Sequence, residues 1–403
     1  MFFNTWQFAL FALIAVIAYR VAGPSIRAYV LIFLGIAFYA AAGVWYLLLM
    51  VAIVLGTYAM GRLLQSAHKD RLPLILTLGI VALVGTLGFF KYTRWLSASA
   101  AAVLPFGNWH GVGPLVVPLA ISFFTFEFIH FLADVRAGKI QRFTFKDFLT
   151  FAFFFPTMVA GPIKRFGLFA KQLDSLQMAR GPELQAAIYR ILCGLFKKIA
   201  IADPVTVFTA PISHPQPGIS AGVYALAMVA ASAKIYYDLA GYSDIAIGFA
   251  HLFGVRVPEN FARPYFAQNV LEFWRRWHIS LSSWVRDYVF VPLAKVWRGG
   301  ARAVSRRGRA VSVACLVVTM LVIGLWHGAA WQFGVWGLWN GFLMAGWFLW
   351  RQNVVPRVAW LSKGSLLLDV SSVALTYASF AFGLVFVAAP STHEAMLVYR
   401  TFF

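Results

Sequence analysis

Charge is what this chain has least of. Only 12% of its 403 residues are charged, about half the share in a soluble globular domain, so a water-soluble fold is excluded. Acids are scarcer still: 14 Asp and Glu stand against 34 Lys and Arg, a formal net charge of +20. The two cysteines, Cys193 and Cys315, are too few for a disulfide framework and too scattered for a zinc site. The G-x-S-x-G, P-loop, H-E-x-x-H and G-x-G-x-x-G patterns are missing. The hydrolases, NTPases, zinc peptidases and nicotinamide enzymes that depend on them lose their support. No internal repeat or low-complexity tract divides the chain, and one integral-membrane domain is expected over residues 1–403.

What fills the chain is apolar. Hydrophobic residues make up 61%, with 39 Phe, 15 Trp and 15 Tyr, and the mean hydropathy is +0.76. Eight stretches carry no Asp, Glu, Lys or Arg: Met1–Tyr19, Ala28–Gly61, Leu72–Phe90, Trp95–Phe126, Phe148–Ile163, Pro204–Ala233, Ala310–Trp350 and Val370–Thr392. A helix needs about 20 apolar residues to cross the hydrocarbon core. Ala28–Gly61 has room for a hairpin around Gly43, and Ala310–Trp350 for one around Trp331–Gly334. Leu184–Ile201, Val223–Leu239 and Ile245–Phe253 read as less clean helices. Backbone groups must be satisfied within lipid and no strand alternation suggests a barrel, so the fold class is all-α, a polytopic membrane protein with roughly ten to twelve embedded helices. The first segment has no basic residue before its apolar run, and Arg20 follows it, so it is expected to be a retained helix and not a cleaved signal.

The basic residues lie between apolar runs. Lys295, Arg298, Arg302, Arg306, Arg307 and Arg309 crowd the segment Leu293–Ala310 without an acid, which assigns it to the cytoplasmic side. Arg136, Lys139, Arg142 and Lys146 mark a second such loop, and Lys164, Arg165 and Lys171 a third. The Pro-rich, uncharged Ala210–Ser220 reads as external. Positive-inside topology accounts for the charge better than nucleic-acid binding, since no soluble domain presents a basic face.

Ionisable residues inside apolar segments are costly and default to function. His327 lies in GLWHGAAWQF, near the centre of the charge-free run Ala310–Trp350 and flanked by Gly324 and Gly328. Small residues let a helix or a substrate approach closely, so the ring is expected to be buried and open on one side. A buried imidazole stays neutral and can accept a proton, as a general base must; the competing reading is a hydrogen-bonded packing histidine. His278 lies in EFWRRWHISLSSWVRDYVFVPL; Val270 just before it and Phe273, Trp274, Trp277, Leu281, Trp284, Val285 and Tyr288 within it recur at helical spacing, with Glu272, Arg275, Arg276, Ser282, Ser283, Arg286 and Asp287 mainly on the other side. That predicts an amphipathic interfacial helix, with His278 at the edge of its apolar stripe as either a functional group or a satisfied anchor. Glu127 and His130 form an i, i+3 pair; metal bundles need two such motifs, so a buried structural pair is expected. His68, His110, His214 and His393 fall in or near loops, where surface roles are the default, and His251 is read as structural.

Taken together these segments resemble the membrane-bound O-acyltransferase family, within it the alginate O-acetylase branch. The resemblance is carried by MFFNTWQF (Met1–Phe8), PLAISFFTFEFIHFLADVRAGK (Pro118–Lys139), FFPTMVAGPIKR (Phe154–Arg165), GYSDIAIG (Gly241–Gly248), PENFARPY (Pro258–Tyr265), the His278 segment and GLWHGAAWQFGVWGLWNG (Gly324–Gly341). It implies a helical core with a tunnel, His327 in the place of the catalytic histidine, and His278 in that of the second motif histidine. It implies an acyl thioester donor on the cytoplasmic face, acetyl-CoA as co-substrate with no bound cofactor or metal. The acceptor is a hydroxyl of an exported polysaccharide or of a periplasmic relay protein, and the location a bacterial inner membrane crossed many times. Under that reading His327 removes the hydroxyl proton, and His278 orients a substrate or stabilises the oxyanion. Trp277, Trp326 and Trp331 line the tunnel. Arg275, Arg276, Arg306 and Arg307 meet the donor phosphates, though topology alone would also explain those arginines. D-alanyl transfer from a carrier-protein thioester is the alternative chemistry. A transporter that moves acyl groups or sugars without transfer is the alternative class.

Overall fold

Long apolar runs fold as helices here because each backbone N–H and C=O must find a partner within its own segment. The computed structural model describes residues 5–103, 116–159, 161–302, 305–358 and 365–403, and among the described residues there is no strand. His110 lies outside them. The chain packs as two compact units, one of residues 1–196 with 241–258 and one of residues 197–240 with 259–403.

The first unit contains α1 (Trp6–Val21), α2 (Arg27–Ala40), α3 (Val44–Ser66), α4 (Leu72–Val103), α5 (Ile121–Arg136), α6 (Phe145–Ala152) and α7 (Gly181–Leu195). α8 (Ala221–Leu252) contributes residues to both units. The second unit continues through α9 (Val270–Arg276), α10 (Ile279–Val285), α11 (Val291–Arg298), α12 (Arg306–His327), α13 (Trp331–Asn353), α14 (Leu366–Gly383) and α15 (Thr392–Arg400). Short single turns join several of these.

Among the described residues, four helices are long and apolar enough to cross a bilayer: Val44–Ser66, Lys69–Ala101, Arg306–His327 and Leu366–Ala388; Trp6–Val21 and Arg27–Ala40 are apolar but shorter. The ten to twelve embedded helices expected, some of them too short to cross fully, are not confirmed by these four. Other segments stay outside the four for physical reasons. α8 is long enough but carries Lys234, Asp238 and Asp244, and α13 dilutes its apolar residues with Gln332, Asn340 and several glycines. The amphipathic segment after Asn269 is cut into pieces too short to cross.

The first unit is held by phenylalanine. Phe131 packs against Phe148 at 4.6 Å and Phe166 at 5.0 Å between centroids, and Phe151 meets Phe166 edge-on at 5.3 Å. Rings at such separations add to area burial in offset and edge-to-face arrangements. Within this apolar mass lies one fully buried ion pair. Lys164 Nζ donates to Glu127 Oε2 at 2.7 Å and to Oε1 at 2.9 Å, and its charge sits 4.4 Å from the Phe151 ring centroid. His130 is also buried, and its Nε2 accepts from the Phe166 backbone N–H at 3.1 Å. The expected structural role of the Glu127–His130 helix face therefore holds, with partners some 36 and 37 residues downstream in the chain. Removing one partner of such a pair leaves an uncompensated charge. Glu127→Ala should lower stability by about 3–5 kcal/mol, while Glu127→Leu combined with Lys164→Met recovers most of the loss. Thermal melting in detergent measures both, and an unshifted midpoint for Glu127→Ala would contradict this account of the pair.

Candidate active site

The segment holding His278 begins at Asn269, whose side chain caps α9 by accepting from the Glu272 N–H at 2.9 Å. Glu272 Oε2 accepts from the Gln268 N–H at 2.9 Å, and Oε1 pairs with Arg276 one turn on. The expected continuous helix does not form. α9 stops at Arg276, and His278 takes a left-handed backbone, φ +43 and ψ +54, before α10 begins. Hydrophobic spacing could not reveal this break, because apolar positions continue on both sides of it. What holds the break open is Asn260. Its Oδ1 accepts from Ser280 Oγ at 2.7 Å, its carbonyl accepts from the Ile279 N–H at 2.8 Å, and Ala262 N–H donates to the Arg276 carbonyl at 3.0 Å. These bonds offset the roughly 1–2 kcal/mol that a left-handed L-residue costs.

His278 is buried at 8% exposure, and its Nδ1 is a buried atom without a hydrogen-bond partner. It lies in none of the four spans. Burial lowers its pKa to about 4, so the ring is neutral near pH 7. Trp277 beside it stacks on Phe273 at 5.5 Å and meets Phe261 edge-on at 5.2 Å.

α12 and α13 form the other half of the site. They pack backbone on backbone. A Cβ at Gly324 would stand 2.2 Å from the Phe333 carbonyl oxygen, one at Gly337 would stand 2.6 Å from that of Met320, and one at Gly341 would stand 2.8 Å from Val317 Cα. Of the two partners that Gly324 was expected to admit, a helix is the one present. His327 is the last residue of α12, with Gly328 extended after it and α13 starting at Trp331. Its side chain is exposed, not buried as the sequence suggested. The physical reason is the hairpin: folding the charge-free run in two turns its middle into a helix end. His327 meets Trp336 edge-on at 5.1 Å and Trp326 at 4.7 Å, and Trp336 meets Trp274 of α9 at 5.8 Å. An aromatic bridge thus connects the two histidine-bearing segments.

Beside this bridge lies a cavity of about 520 Å³, walled by α9, α10, α12 and α13. On α12 its wall is Ser312, Leu316, Thr319, Met320 and Ile323, a length of about 16 Å at 1.5 Å per residue. Steps of three and four residues put these on one helix face, and the next such step after Ile323 is His327. Arg275, Arg286 and Arg298 line the same cavity, as does Trp274. Arg298 Nη2 donates to Ser312 Oγ at 3.1 Å. The hollow is therefore cationic in part of its wall and apolar along its length.

The expected site residues are distributed unevenly around it. Arg275 is exposed and lines the cavity; Arg276 is held by Glu272. Arg306 and Arg307 are exposed on the first turn of α12 and outside the cavity wall; α12 has 22 residues, which puts them about 30 Å along the axis from His327. Trp277 is core packing, Trp326 touches His327, and Trp331 is 62% exposed. The cavity-lining tryptophan is Trp274, and Arg286 and Arg298 were read only as solvated or topological charges. A signal for Trp274 and Arg298 was present, since each stands within a segment already singled out, but nothing in one-dimensional spacing assigns them to a common wall. His68, His214 and His393 are exposed, consistent with surface roles.

The comparisons point the same way. Residues 116–360 match the sequence model of the membrane-bound O-acyltransferase family. The chain is 36% identical over 319 residues to the Azotobacter vinelandii protein named "Probable alginate O-acetylase AlgI", covering 76% of this chain and 60% of that protein. It is 31% identical over 394 residues to the protein of the same name from Pseudomonas syringae pv. tomato, covering 96% of this chain and 71% of that one. A Streptococcus thermophilus "Teichoic acid D-alanyltransferase" is 30% identical over 260 residues, covering 63% of this chain and 60% of that protein. The chain thus spans about 60–71% of the length of these relatives.

Asn tolerates the left-handed region that His278 occupies, whereas a β-branched residue does not. His278→Asn should melt within a few degrees of the parent. His278→Val should lose about 1–3 kcal/mol from backbone strain. Equal midpoints for the two variants would show that the break at residue 278 carries no strain.

Proposed function

This chain belongs to the membrane-bound O-acyltransferase family, and from that premise we propose that it moves an acetyl group from a thioester, acetyl-CoA, to a hydroxyl of an exported polysaccharide or of a periplasmic relay protein. The observation that carries the proposal is the cavity running along α12 from the Arg298–Ser312 contact to Ile323, one helical turn short of His327. Its cationic wall suits a phosphate, its apolar length suits an extended arm, and its α12 stripe leads toward an exposed imidazole.

In this reading the protein resides in a bacterial inner membrane, crossing it several times, with the Leu293–Ala310 segment cytoplasmic. The donor enters beside Arg275, Arg286 and Arg298. The acceptor hydroxyl reaches His327 from the opposite side. His327 takes the hydroxyl proton as the oxygen bonds to the thioester carbonyl carbon. The C–S bond then breaks, and the thiolate leaves with the proton returned by the imidazolium. A thioester is already activated, so positioned proton transfer, typically worth about 10²–10⁴-fold, is the main demand on the protein. His278, neutral and with Nδ1 unpartnered, positions the reacting groups or donates toward the developing oxyanion. Arg306 and Arg307 serve topology. Acetyl is favoured over D-alanyl as the group moved because the similarity to proteins named as acetylases reaches 96% of this chain, against 63% for the D-alanyltransferase.

His327→Ala should cut covalent transfer of radiolabelled acetyl to polymer or relay protein by about 10²–10⁴-fold while the protein still inserts and purifies. His278→Asn should reduce it by about 100-fold. Met320→Trp, which fills the cavity, should abolish donor use. Arg306→Ala with Arg307→Ala should leave the apparent KM for acetyl-CoA unchanged. Parental transfer by His327→Ala would refute the catalytic assignment, and label that crosses the membrane without covalent attachment would favour a transporter.

A further inference from the structure

From His327 a chain of ring contacts leads to a group that proton transfer does not use. Trp336 of α13 meets His327 at 5.1 Å between centroids, and Trp274 of α9 meets Trp336 at 5.8 Å. Trp274 is buried and lines the cavity. Its indole Nε1 is a buried atom with no hydrogen-bond partner among the described residues. An indole N–H can only donate, and a buried donor left without an acceptor is uncommon and asks for a group that supplies one. Arg298 Nε and Thr319 Oγ1, on two other residues of the cavity wall, are buried without a partner in the same way. Both stand back from His327. Arg298 is tied to Ser312, which lies about 22 Å from His327 along the α12 axis, and Thr319 lies about 12 Å from it. Of the three residues, Trp274 is the one that ring contacts join to His327.

We propose that Trp274 is a catalytic residue, its indole N–H donating a hydrogen bond to the thioester carbonyl oxygen as that oxygen gains negative charge. This rests on reading the cavity as the place of the thioester and His327 as the base. The reacting unit needs a hydrogen bond of about 3 Å at each end, with the hydroxyl oxygen, carbonyl carbon and carbonyl oxygen between them. Ring-to-ring steps of 5.1 and 5.8 Å from His327 to Trp274 leave a span of that order. Trp274 is also held in advance. Asn269 caps its helix, and Phe273 meets its ring edge-on at 5.6 Å. A donor fixed beforehand in an apolar wall stabilises developing charge without reorganising. In the first step the hydroxyl oxygen bonds to the carbonyl carbon, its proton passes to His327, and the C=O π pair moves onto the oxygen that faces Trp274. That pair then re-forms the C=O bond, the C–S bond breaks, and the thiolate takes the proton from the imidazolium. The indole keeps its own proton throughout, and His278 is left with positioning.

The test uses membrane vesicles from native cells in which the full chain is replaced by each variant, so that its own acceptor is present, and radiolabelled acetyl-CoA as the probe. Two variants remove the N–H: Trp274→Phe, and Trp274 replaced by 3-benzothienylalanine, which keeps the ring shape and puts sulfur in place of N–H. Both should cut the maximal rate of covalent acetyl transfer per enzyme by about 10²–10³-fold, the loss for one oxyanion donor. The apparent KM for acetyl-CoA should stay the same, because the interaction is made only in the transition state. A benzothienyl variant with the parental maximal rate overturns the assignment, even if Trp274→Phe is slow, because the ring and not its N–H is then what matters. A raised KM at the parental maximal rate also overturns it, since Trp274 is then a ground-state contact. If the benzothienyl variant is unchanged while His327→Ala and Met320→Trp lose transfer, only this inference falls. If those two variants transfer acetyl at the parental rate, the reading of the cavity and of His327 fails and takes this one with it.

Discussion

The close packing of α12 on α13 is the contact on which the rest of the second unit depends. Gly324, Gly337 and Gly341 let the two helices touch through their backbones, where even a methyl group would collide with a carbonyl or a Cα. In a bilayer the hydrophobic effect does not drive helices together, so association rests on such small-residue contacts and on hydrogen bonds. This contact fixes three things at once. It puts His327 at a helix end, it brings Trp336 against both His327 and Trp274, and it makes α12 and α13 two adjoining walls of the same hollow.

The opposite wall depends on a different device. α9 and α10 would be one amphipathic helix but for the left-handed backbone at His278, which Asn260 and the Ile279 and Ala262 backbone bonds hold in place. Strained non-glycine residues of this kind tend to persist where surroundings over-determine them, often at functional sites. Residues on both sides of the break, Trp274 and Arg275 before it and Ile279, Ser282 and Ser283 after it, line the same cavity. On the proposed function, the buried neutral imidazole at the hinge is given positioning and the exposed imidazole at the helix end proton transfer, each in an environment suited to it.

Much of this was legible in the sequence. Scarce charge and long apolar runs gave an all-α membrane protein, the motifs around His278 and His327 gave the family, and the length of Ala310–Trp350 gave a hairpin. The number of spanning helices was not legible, because hydropathy does not separate a crossing helix from a buried or interfacial one; α8 and α13 are long but polar in places. The exposure of His327 followed from the hairpin yet contradicted the rule that the centre of an apolar run is buried. The break at His278 left no mark on the apolar spacing, since it changes backbone direction without changing side-chain order. The cavity was hidden for another reason. Its walls come from residues as far apart as Leu271 and Gln352, and Glu127 finds Lys164 only through the fold. Such pairings are tertiary facts.

The central claim is that a thioester lies along α12 with its carbonyl at His327. The most direct measurement is an experimental structure of the full chain with a non-reactive thioether analogue of acetyl-CoA. The account predicts density that passes Arg298, follows Leu316, Met320 and Ile323, and ends within hydrogen-bonding reach of the His327 ring, about 3 Å. Density for the analogue in another part of the molecule, with this cavity empty, would contradict it.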